Sequence, residues 1–191
     1  MRLPSLLTKV PRAQEELKKF RQLVSFRIGE EEFGVDILMV QEIIRLPTIT
    51  PIPNAPPSIQ GMINLRGKII PVIDLCKRLR IPGGKSVAAD DRRRRILIVE
   101  MSTHVTGFIV DSVSEVMKVP ESEIEPAPHF LTSSIDAAYI KGVIKLADRL
   151  IILLDFRRIL KPREERELTA LDVAALEDDR IGRDAQSSPS R

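Results

Sequence analysis

The residue best placed for chemistry in this 191-residue chain is Arg66, in the tetrapeptide Asn64-Leu65-Arg66-Gly67. Apolar, β-rich segments lie on both sides, so the tetrapeptide predicts a tight hairpin turn in which Gly67 supplies a positive φ angle. A guanidinium held on a rigid turn can bind a carboxylate or the backbone carbonyls of a partner. The competing interpretation is a turn whose arginine is merely solvated.

The same turn lies inside a segment that occurs twice in the chain. Residues 61–79 align without a gap to residues 142–160, at an offset of 142 − 61 = 81 residues. The identical pairs are Gly61/Gly142, Ile63/Ile144, Leu65/Leu146, Ile70/Ile151, Asp74/Asp155 and Leu79/Leu160. The repeat predicts two related β modules that share a scaffold.

The two copies differ at the turn, where Arg66-Gly67 is replaced by Ala147-Asp148. Because an element present in only one copy is a candidate for function, this difference favours a binding role for Arg66. The shared apolar positions should instead be buried where the modules pack together: Ile63, Leu65, Ile70, Ile144, Leu146 and Ile151. The substitution Leu146→Ala should then cost about 2–5 kcal/mol of stability.

Side chains with the spacing of a catalytic or metal site are hard to find. The two histidines, His104 and His129, lie in different segments, and no phosphate-binding glycine motif occurs. Cys76 is the single cysteine, which allows no disulfide within the chain and fits a reducing cytoplasm. Asp74 and Asp155 each precede a short helical pattern, so capping explains them better than acid–base catalysis. We expect no enzyme activity, no cofactor and no bound metal.

Short apolar segments separated by Pro and Gly predict a mainly β protein with short helices. Five strands in each half suggest two small five-stranded barrels packed together. We expect a partly helical N-terminal extension at residues 1–20, a two-module domain at 21–160 that divides near 82–91, and a helical then disordered tail at 161–191. No apolar run is long enough to cross a membrane.

One helix is expected inside the first module. Asp36 should begin it, because its carboxylate can accept a hydrogen bond from a free backbone N–H of the first turn. Ile37, Val40, Ile43 and Ile44 follow at helical spacing.

The basic run Arg92-Arg93-Arg94-Arg95 raises an alternative function, a small barrel that binds nucleic acid. Such barrels need aromatic side chains on which bases stack, and aromatic residues make up only 4% of this chain, with no Trp. The net charge is only +3, and Asp90 and Asp91 dilute the run. We therefore do not expect a nucleic-acid partner.

Longer stretches of the sequence carry a family pattern. They are residues 33–43 (FGVDILMVQEI), 61–75 (GMINLRGKIIPVIDL), 107–116 (GFIVDSVSEV) and 125–129 (EPAPH). Together they resemble the CheW family of bacterial chemotaxis coupling proteins, over residues 21–160. The resemblance implies two five-stranded SH3-like barrels and no catalysis. It also implies a cytoplasmic location at receptor arrays and two partners, the cytoplasmic tip of chemoreceptors and the regulatory domain of a CheA-type histidine kinase.

The resemblance also implies which residues contact each partner. The positions that match the family's receptor contacts are Val40, Glu42, Gly61, Asn64, Arg66, Gly107, Val113 and Val116. The positions that match its kinase-facing surface are Ile37, Gln60, Lys68, Ile70 and Val72. No kinase or receiver sequence is present, so a stand-alone adaptor is favoured over part of a larger signalling protein.

Overall fold

The structure, a computed structural model, describes residues 19–81, 92–101, 104–128 and 135–160. Its strands are β1 Phe20–Ile28, β2 Glu31–Asp36, β3 Val40–Arg45, β4 Ile59–Leu65, β5 Lys68–Asp74, β6 Arg95–Glu100, β7 Val105–Val110, β8 Ser112–Pro120, β9 Ile124–Glu125, β10 Ile140–Lys145 and β11 Leu150–Leu154. Its helices are the α-helices α1 Leu75–Leu79 and α2 Phe156–Ile159, and the 3-10 turns η1 Ile37–Met39, η2 Glu121–Glu123 and η3 Ala137–Tyr139.

Three predicted segments fall outside this description. They are residues 1–18 of the N-terminal extension, the loop at 82–91 and the tail at 161–191. Among the described helices, none is long and apolar enough to cross a membrane.

The strands form two sheets with the same internal order. One sheet runs β3-β6-β7-β5-β4 and the other runs β8-β1-β2-β11-β10-β9. Position by position, β3 corresponds to β8, the β6–β7 hairpin to β1–β2, and the β4–β5 hairpin to β10–β11. In each sheet the two hairpins meet through parallel strands, β5 beside β7 and β11 beside β2. The two predicted β modules are therefore present, as a five-stranded and a six-stranded sheet.

The modules are not the two halves of the chain, so the predicted division near residues 82–91 is wrong. The β1–β2 hairpin of the first half lies in the six-stranded sheet, and the β6–β7 hairpin of the second half lies in the five-stranded sheet. Each sheet is thus completed by a hairpin from the other half. Which hairpins pair depends on side-chain packing between residues far apart in the sequence, and the repeat alone does not reveal it.

Asp36 begins a helix, as predicted, but the helix is a single 3-10 turn. Its carboxylate accepts a hydrogen bond from the Leu38 backbone N–H at 3.1 Å. The turn η1 is followed directly by strand β3, which pairs antiparallel with β6. The prediction of a helix as far as Ile44 is therefore wrong. β-Branched residues pack well on a pleated sheet, and β6 supplies backbone partners that local spacing does not reveal.

The two repeated aspartates cap the two short α-helices, as predicted. Asp74 accepts a hydrogen bond from the Lys77 N–H at 3.1 Å, before α1. Asp155 accepts one from the Arg157 N–H at 3.1 Å, before α2. Each bond satisfies a backbone donor that a helix start leaves free, so these carboxylates have a structural role.

A central cluster of buried apolar residues joins the two sheets. Phe108 of the five-stranded sheet stacks on Phe156 of α2 with ring centroids 4.6 Å apart. Phe26 of the six-stranded sheet lies 6.2 Å from Phe156 and 6.0 Å from Phe33. All four rings are fully buried. Because the rings come from both sheets, the modules share one core.

The repeated apolar residues are mostly buried, but not where the modules meet. Ile63 and Ile70 belong to a separate cluster of the five-stranded sheet, and Ile144 and Ile151 to a separate cluster of the six-stranded sheet. Each pair consists of direct cross-strand neighbours in its hairpin. Leu65 and Leu146, which precede the turns, are only partly buried. The shared residues therefore build each module separately, which corrects their predicted place between modules.

This difference in burial predicts different costs of truncation. Ile144→Ala removes a side chain with no exposed surface and should cost about 2–5 kcal/mol. Leu146→Ala removes a partly exposed side chain, so the earlier figure for this residue is too high, and we expect less than about 2 kcal/mol. Urea unfolding of both variants checks the ranking, and equal midpoints would contradict it.

The exchange of hairpins predicts that neither half folds alone. A fragment of residues 1–86 lacks β8 and β11, which pair with the β1–β2 hairpin, and β6, which pairs with β3. A fragment of residues 87–191 lacks the partners of those same strands. Neither fragment should show dispersed amide signals in NMR, whereas an equimolar mixture should recover them. Independent folding of either fragment would show that its sheet does not need the other half.

Candidate functional site

The turn at Arg66 has the geometry of a two-residue β-hairpin loop. Arg66 has φ 54° and Gly67 has φ 83°, so both central residues lie in the left-handed region, as in a type I′ turn. The Gly67 N–H donates to the Asn64 side-chain oxygen at 2.8 Å, which fixes the loop from within. The predicted hairpin and the predicted positive φ of Gly67 are confirmed.

Arg66 and Glu42, two of the predicted receptor contacts, form an ion pair. Arg66 Nη2 donates to Glu42 Oε1 at 2.8 Å. The pair joins the end of β4 to β3, although these strands are the two edges of the five-stranded sheet, so that sheet is strongly curved. The Arg66 side chain is 77% exposed and the Glu42 side chain 32% exposed. The guanidinium is therefore the group that a partner would meet first.

Arg66 holds a backbone conformation that L-residues other than glycine seldom adopt. Within the described ranges, the non-glycine residues with positive φ are Asn54, Arg66 and Arg80. A left-handed conformation costs a residue with a Cβ atom roughly 1–2 kcal/mol. Arg80 ends helix α1, a common place for this conformation. At a hairpin turn, Arg66 replaces the Asn or Gly that the turn favours, which suggests that its side chain serves a purpose outside the turn.

Four other predicted receptor contacts lie at accessible or partly accessible positions. Val40 on β3 and Val113 on β8 are partly buried, and both pack against the shared core. Val116 is 54% exposed on β8, and Asn64 is exposed before the turn. β3 and β8 are the equivalent edge strands of the two sheets. The structure thus places the three valines along these two edges, and Asn64 near the end of β4, at the other edge of the five-stranded sheet.

The two glycines of the predicted receptor set are buried, which contradicts a direct contact role for them. A Cβ atom on Gly61 would lie 2.1 Å from the Thr50 carbonyl oxygen, and one on Gly107 would lie 2.8 Å from Ile96. At the repeated position, a Cβ on Gly142 would lie 2.7 Å from the Glu125 carbonyl oxygen. Each repeated glycine follows a β-bulge. These glycines let neighbouring backbone approach closely, which explains their presence in both copies.

The predicted kinase contacts divide in the same way. Lys68 is exposed, and Ile37 and Gln60 are partly exposed. Ile70 and Val72 are buried in the core of the five-stranded sheet, so the prediction that they contact a partner is wrong. Their strand, β5, lies between β7 and β4 and is covered on both faces from residue 70 onward.

Two accessible residues were missed by the sequence analysis. Leu38, at the middle of turn η1 beside Ile37, is 90% exposed. Arg149, just after the Ala147-Asp148 turn, hydrogen bonds Glu115 of β8 and lies 3.4 Å from Glu32 of β2. The Glu115 hydrogen bond, with the charge of Glu32, raises the pKa of the Arg149 guanidinium. Leu38 was overlooked because the segment was interpreted as a helix whose apolar face did not include it. Arg149 was overlooked because only aligned positions of the repeat were compared, and Arg149 lies two residues after the equivalent of Arg66.

One side chain of the arginine run, that of Arg95, hydrogen bonds the backbone of the run itself. Arg95 Nη1 donates to the carbonyl oxygens of Arg92 and Arg94, at 2.7 and 2.8 Å. These bonds close the turn that leads into β6. The guanidinium of Arg95 is therefore committed to the turn, and the nucleic-acid alternative gains no support.

The chemistry that these sites offer is recognition. Among the described residues, no three His, Cys, Asp or Glu side chains are grouped as metal ligands. Cys76 is partly buried, and desolvation followed by the charge of Asp74 raises the pKa of its thiol, which disfavours the nucleophilic thiolate. A fixed ion pair beside partly buried valines suits a protein partner. Fold and site together are those of a β scaffold whose accessible charged and apolar side chains lie at sheet edges and hairpin turns.

Comparison with known proteins identifies the group to which this scaffold belongs. The model of the CheW-like domain matches residues 22–164. The Rhizobium meliloti chemotaxis protein CheW is 35% identical over 77% of this chain and 91% of its own length. The Klebsiella aerogenes chemotaxis protein CheW is 35% identical over 75% of this chain and 84% of its own length. The chain belongs to the CheW family of chemotaxis scaffold proteins.

A solved structure agrees with this assignment. The crystal structure of the scaffolding protein TtCheW from Thermoanaerobacter tengcongensis superimposes with a TM-score of 0.67. The two proteins are 40% identical, and the match covers 75% of this chain and 89% of that one. The family and the mainly β architecture inferred from sequence are confirmed.

The strained turn yields a test that needs no partner. Arg66→Gly should relieve the left-handed strain, although glycine also gains freedom in the unfolded chain. The net change should be a gain of about 0–1 kcal/mol in unfolding free energy. Urea unfolding measures it, with Gly67→Ala as the control that adds strain at the neighbouring position. A clear loss of stability in Arg66→Gly would show that the arginine holds the fold together.

Proposed function

We propose that this protein is a non-catalytic adaptor that couples the cytoplasmic tips of chemoreceptors to a CheA-type histidine kinase. Its family membership supports a scaffolding role, and the observation that carries the proposal is the Arg66–Glu42 pair. The guanidinium is held in a strained turn, points away from the core, and adjoins an edge strand that carries partly exposed apolar residues. The proposal places the protein in the cytoplasm, at receptor arrays.

The receptor side of the adaptor would lie along the edge strands β3 and β8. A receptor tip is a helical hairpin in the family pattern, and helices bind through apolar stripes that fit between apolar side chains. Val40, Val113 and Val116 supply apolar surface, with Ile43 also 39% exposed. Arg66 and Glu42 would fix orientation more than they add affinity.

The kinase side would use the accessible part of the predicted set. Ile37 and the neighbouring Leu38 project from turn η1, which is anchored by the Asp36 cap. Arg21 holds Asp36 by an ion pair at 3.2 Å and Glu121 by another at 2.9 Å. A highly exposed leucine on a turn fixed in this way can enter an apolar pocket without losing much conformational freedom. Gln60 and Lys68 complete the proposed kinase contacts.

The central test separates binding from folding. Arg66→Ala removes an exposed ion pair, so its unfolding free energy should stay within about 1 kcal/mol of wild type. Its affinity for a soluble receptor-tip hairpin should fall at least about tenfold, or 1.4 kcal/mol, because a partner group loses its charged contact. Affinity for the kinase regulatory domain should not change. Isothermal titration calorimetry measures both.

Lys145→Ala is the matched control. Lys145 pairs with Glu125 at 2.5 Å on the equivalent hairpin of the other sheet, and its side chain is 59% exposed. This variant also loses an exposed ion pair, yet it should bind the receptor tip normally. Unchanged receptor binding by Arg66→Ala, or a loss that merely follows unfolding, would refute the assignment of this turn to the receptor surface.

A further inference from the structure

The edge strands β3 and β8 correspond residue by residue. In the antiparallel pairing of β3 with β6, the cross-strand partner of Val40 is Val99. After a bulge, the partner of Glu42 is Ile98 and that of Ile43 is Leu97. In the antiparallel pairing of β8 with β1, the cross-strand partner of Val113 is Phe26 and, after a bulge, that of Val116 is Val24. Between these two positions, the Glu115 N–H donates to the side chain of Ser25 at 3.3 Å. Val113, Glu115 and Val116 thus occupy the places of Val40, Glu42 and Ile43.

The charge pair beside these strands is also repeated. Glu42 pairs with Arg66, from the turn of the β4–β5 hairpin. Glu115 pairs with Arg149, from the turn of the equivalent β10–β11 hairpin. The two arginines do not align in the sequence repeat, because 149 − 66 = 83 while the repeat offset is 81. The second module therefore also has a Glu–Arg pair beside its edge strand, although its arginine does not align with Arg66 in the sequence repeat.

The two pairs present opposite charges to a partner. In the first pair the arginine is the more exposed member. In the second pair Arg149 is 39% exposed and Glu115 is 51% exposed, and Arg149 is also held by Glu32, whose side chain is only 10% exposed. Two carboxylates around one guanidinium leave a net charge of −1. The second pair therefore presents a carboxylate, where the first presents a guanidinium.

The surroundings of Arg149 strengthen the negative charge. A cavity of about 530 Å³ lies beside it, and its charged lining residues are Arg27, Glu30, Glu31, Glu32, Asp148 and Arg149. Four carboxylates and two guanidinium groups give a formal charge of −2 there. A cationic side chain would be attracted to this end of β8, and an anionic one would be repelled.

We propose that Glu115, held by Arg149, is a second charged contact for the receptor hairpin and takes a basic side chain of that hairpin. This inference rests on the proposed function, since it assumes that the hairpin lies along β3 and β8. A hairpin of two antiparallel helices can offer one helix to each edge strand. Because the apolar residues of the two edges are alike, they would accept the hairpin in either of two orientations. Opposite charges at the two ends favour one of them.

Glu115→Gln is the sharpest test. It removes the outward charge, keeps the side-chain shape, and leaves Arg149 paired with Glu32. Receptor-tip affinity should fall about five- to tenfold, as expected for loss of one charged contact at an interface. The unfolding midpoint and the affinity for the kinase regulatory domain should not change. Raising the salt concentration should weaken the wild type more than the variant, because the variant has one charge fewer to screen.

The matched control is Glu125→Gln. Glu125 is also 51% exposed and also forms an ion pair, with Lys145, but it lies at the opposite edge of the same sheet. It should bind the receptor tip within about twofold of wild type, as surface pairs contribute little. Arg149→Lys is a second variant. It keeps a cation beside Glu32 but loses the planar guanidinium that contacts both Glu32 and Glu115, so Glu115 is held less firmly and receptor binding should also weaken.

The outcomes separate the two proposals. If wild type binds the hairpin and Arg66→Ala weakens it, while Glu115→Gln binds as well as wild type or more tightly, the second contact is wrong and the proposed function stands. If wild type does not bind the hairpin at all, the proposed function itself is wrong. A loss of affinity in Glu125→Gln equal to that in Glu115→Gln would also overturn the second contact, since the effect would then be one of net charge.

Discussion

The exchange of hairpins between the two sheets is the constraint on which the rest of the structure depends. Each sheet takes two hairpins, one from each half of the chain, and joins them through a parallel strand pair. Parallel strands cannot be joined by a tight turn, so these pairings link residues far apart in sequence. The modules share one core around the Phe26, Phe33, Phe108 and Phe156 rings, so we expect them to fold as one cooperative unit.

A contact between equivalent positions reinforces this union. The Arg78 Nε of α1 donates to the backbone carbonyl of Ile159 in α2 at 2.7 Å, and residue 159 is the repeat equivalent of residue 78. The same guanidinium lies 5.6 Å from the centre of the Tyr139 ring. The two α-helices therefore meet at matching positions, and the relative placement of the sheets is fixed by polar as well as apolar contacts. Such rigidity suits the scaffold role of the family, because a preorganised surface loses less conformational freedom on binding.

The same constraint explains where binding residues can lie. Central strands such as β5 and β7 are covered on both faces, so side chains like Val72 and the close approach at Gly107 serve the core. The edge strands β3 and β8 and the hairpin turns remain accessible. Edge strands expose backbone groups that could pair with other chains, and charged side chains on them limit such pairing. Glu42 and Glu115 can limit such pairing in addition to the binding roles proposed for them above.

Much of the fold could be predicted from the sequence because its signals are local. Strands, the hairpin at Asn64 to Lys68, and the caps Asp74 and Asp155 each depend on residues a few positions apart. Pairing between distant strands is not local, so the exchange of hairpins and the strand at Val40–Arg45 were not predicted. Burial of the predicted contacts Ile70 and Gly61 depends on that pairing too. For the candidate site, the family pattern pointed to residues that lie on the edge strands β3 and β8, but it could not show that Arg149 pairs with Glu115 as Arg66 pairs with Glu42.

The energetics of the turn differ between the two modules. Holding Arg66 in a left-handed conformation costs roughly 1–2 kcal/mol, and its exposed pair with Glu42 returns about 0–1 kcal/mol. Within the isolated protein the arginine is thus at best neutral. The second module avoids the strain, because Ala147 and Asp148 are absent from the residues with positive φ, and its arginine extends from a position beyond the turn. An unfavourable residue at this turn gains nothing for folding. Since the exposed pair with Glu42 does not outweigh the strain, a role for Arg66 in binding, as proposed above, is a better account of this residue than a role in stability.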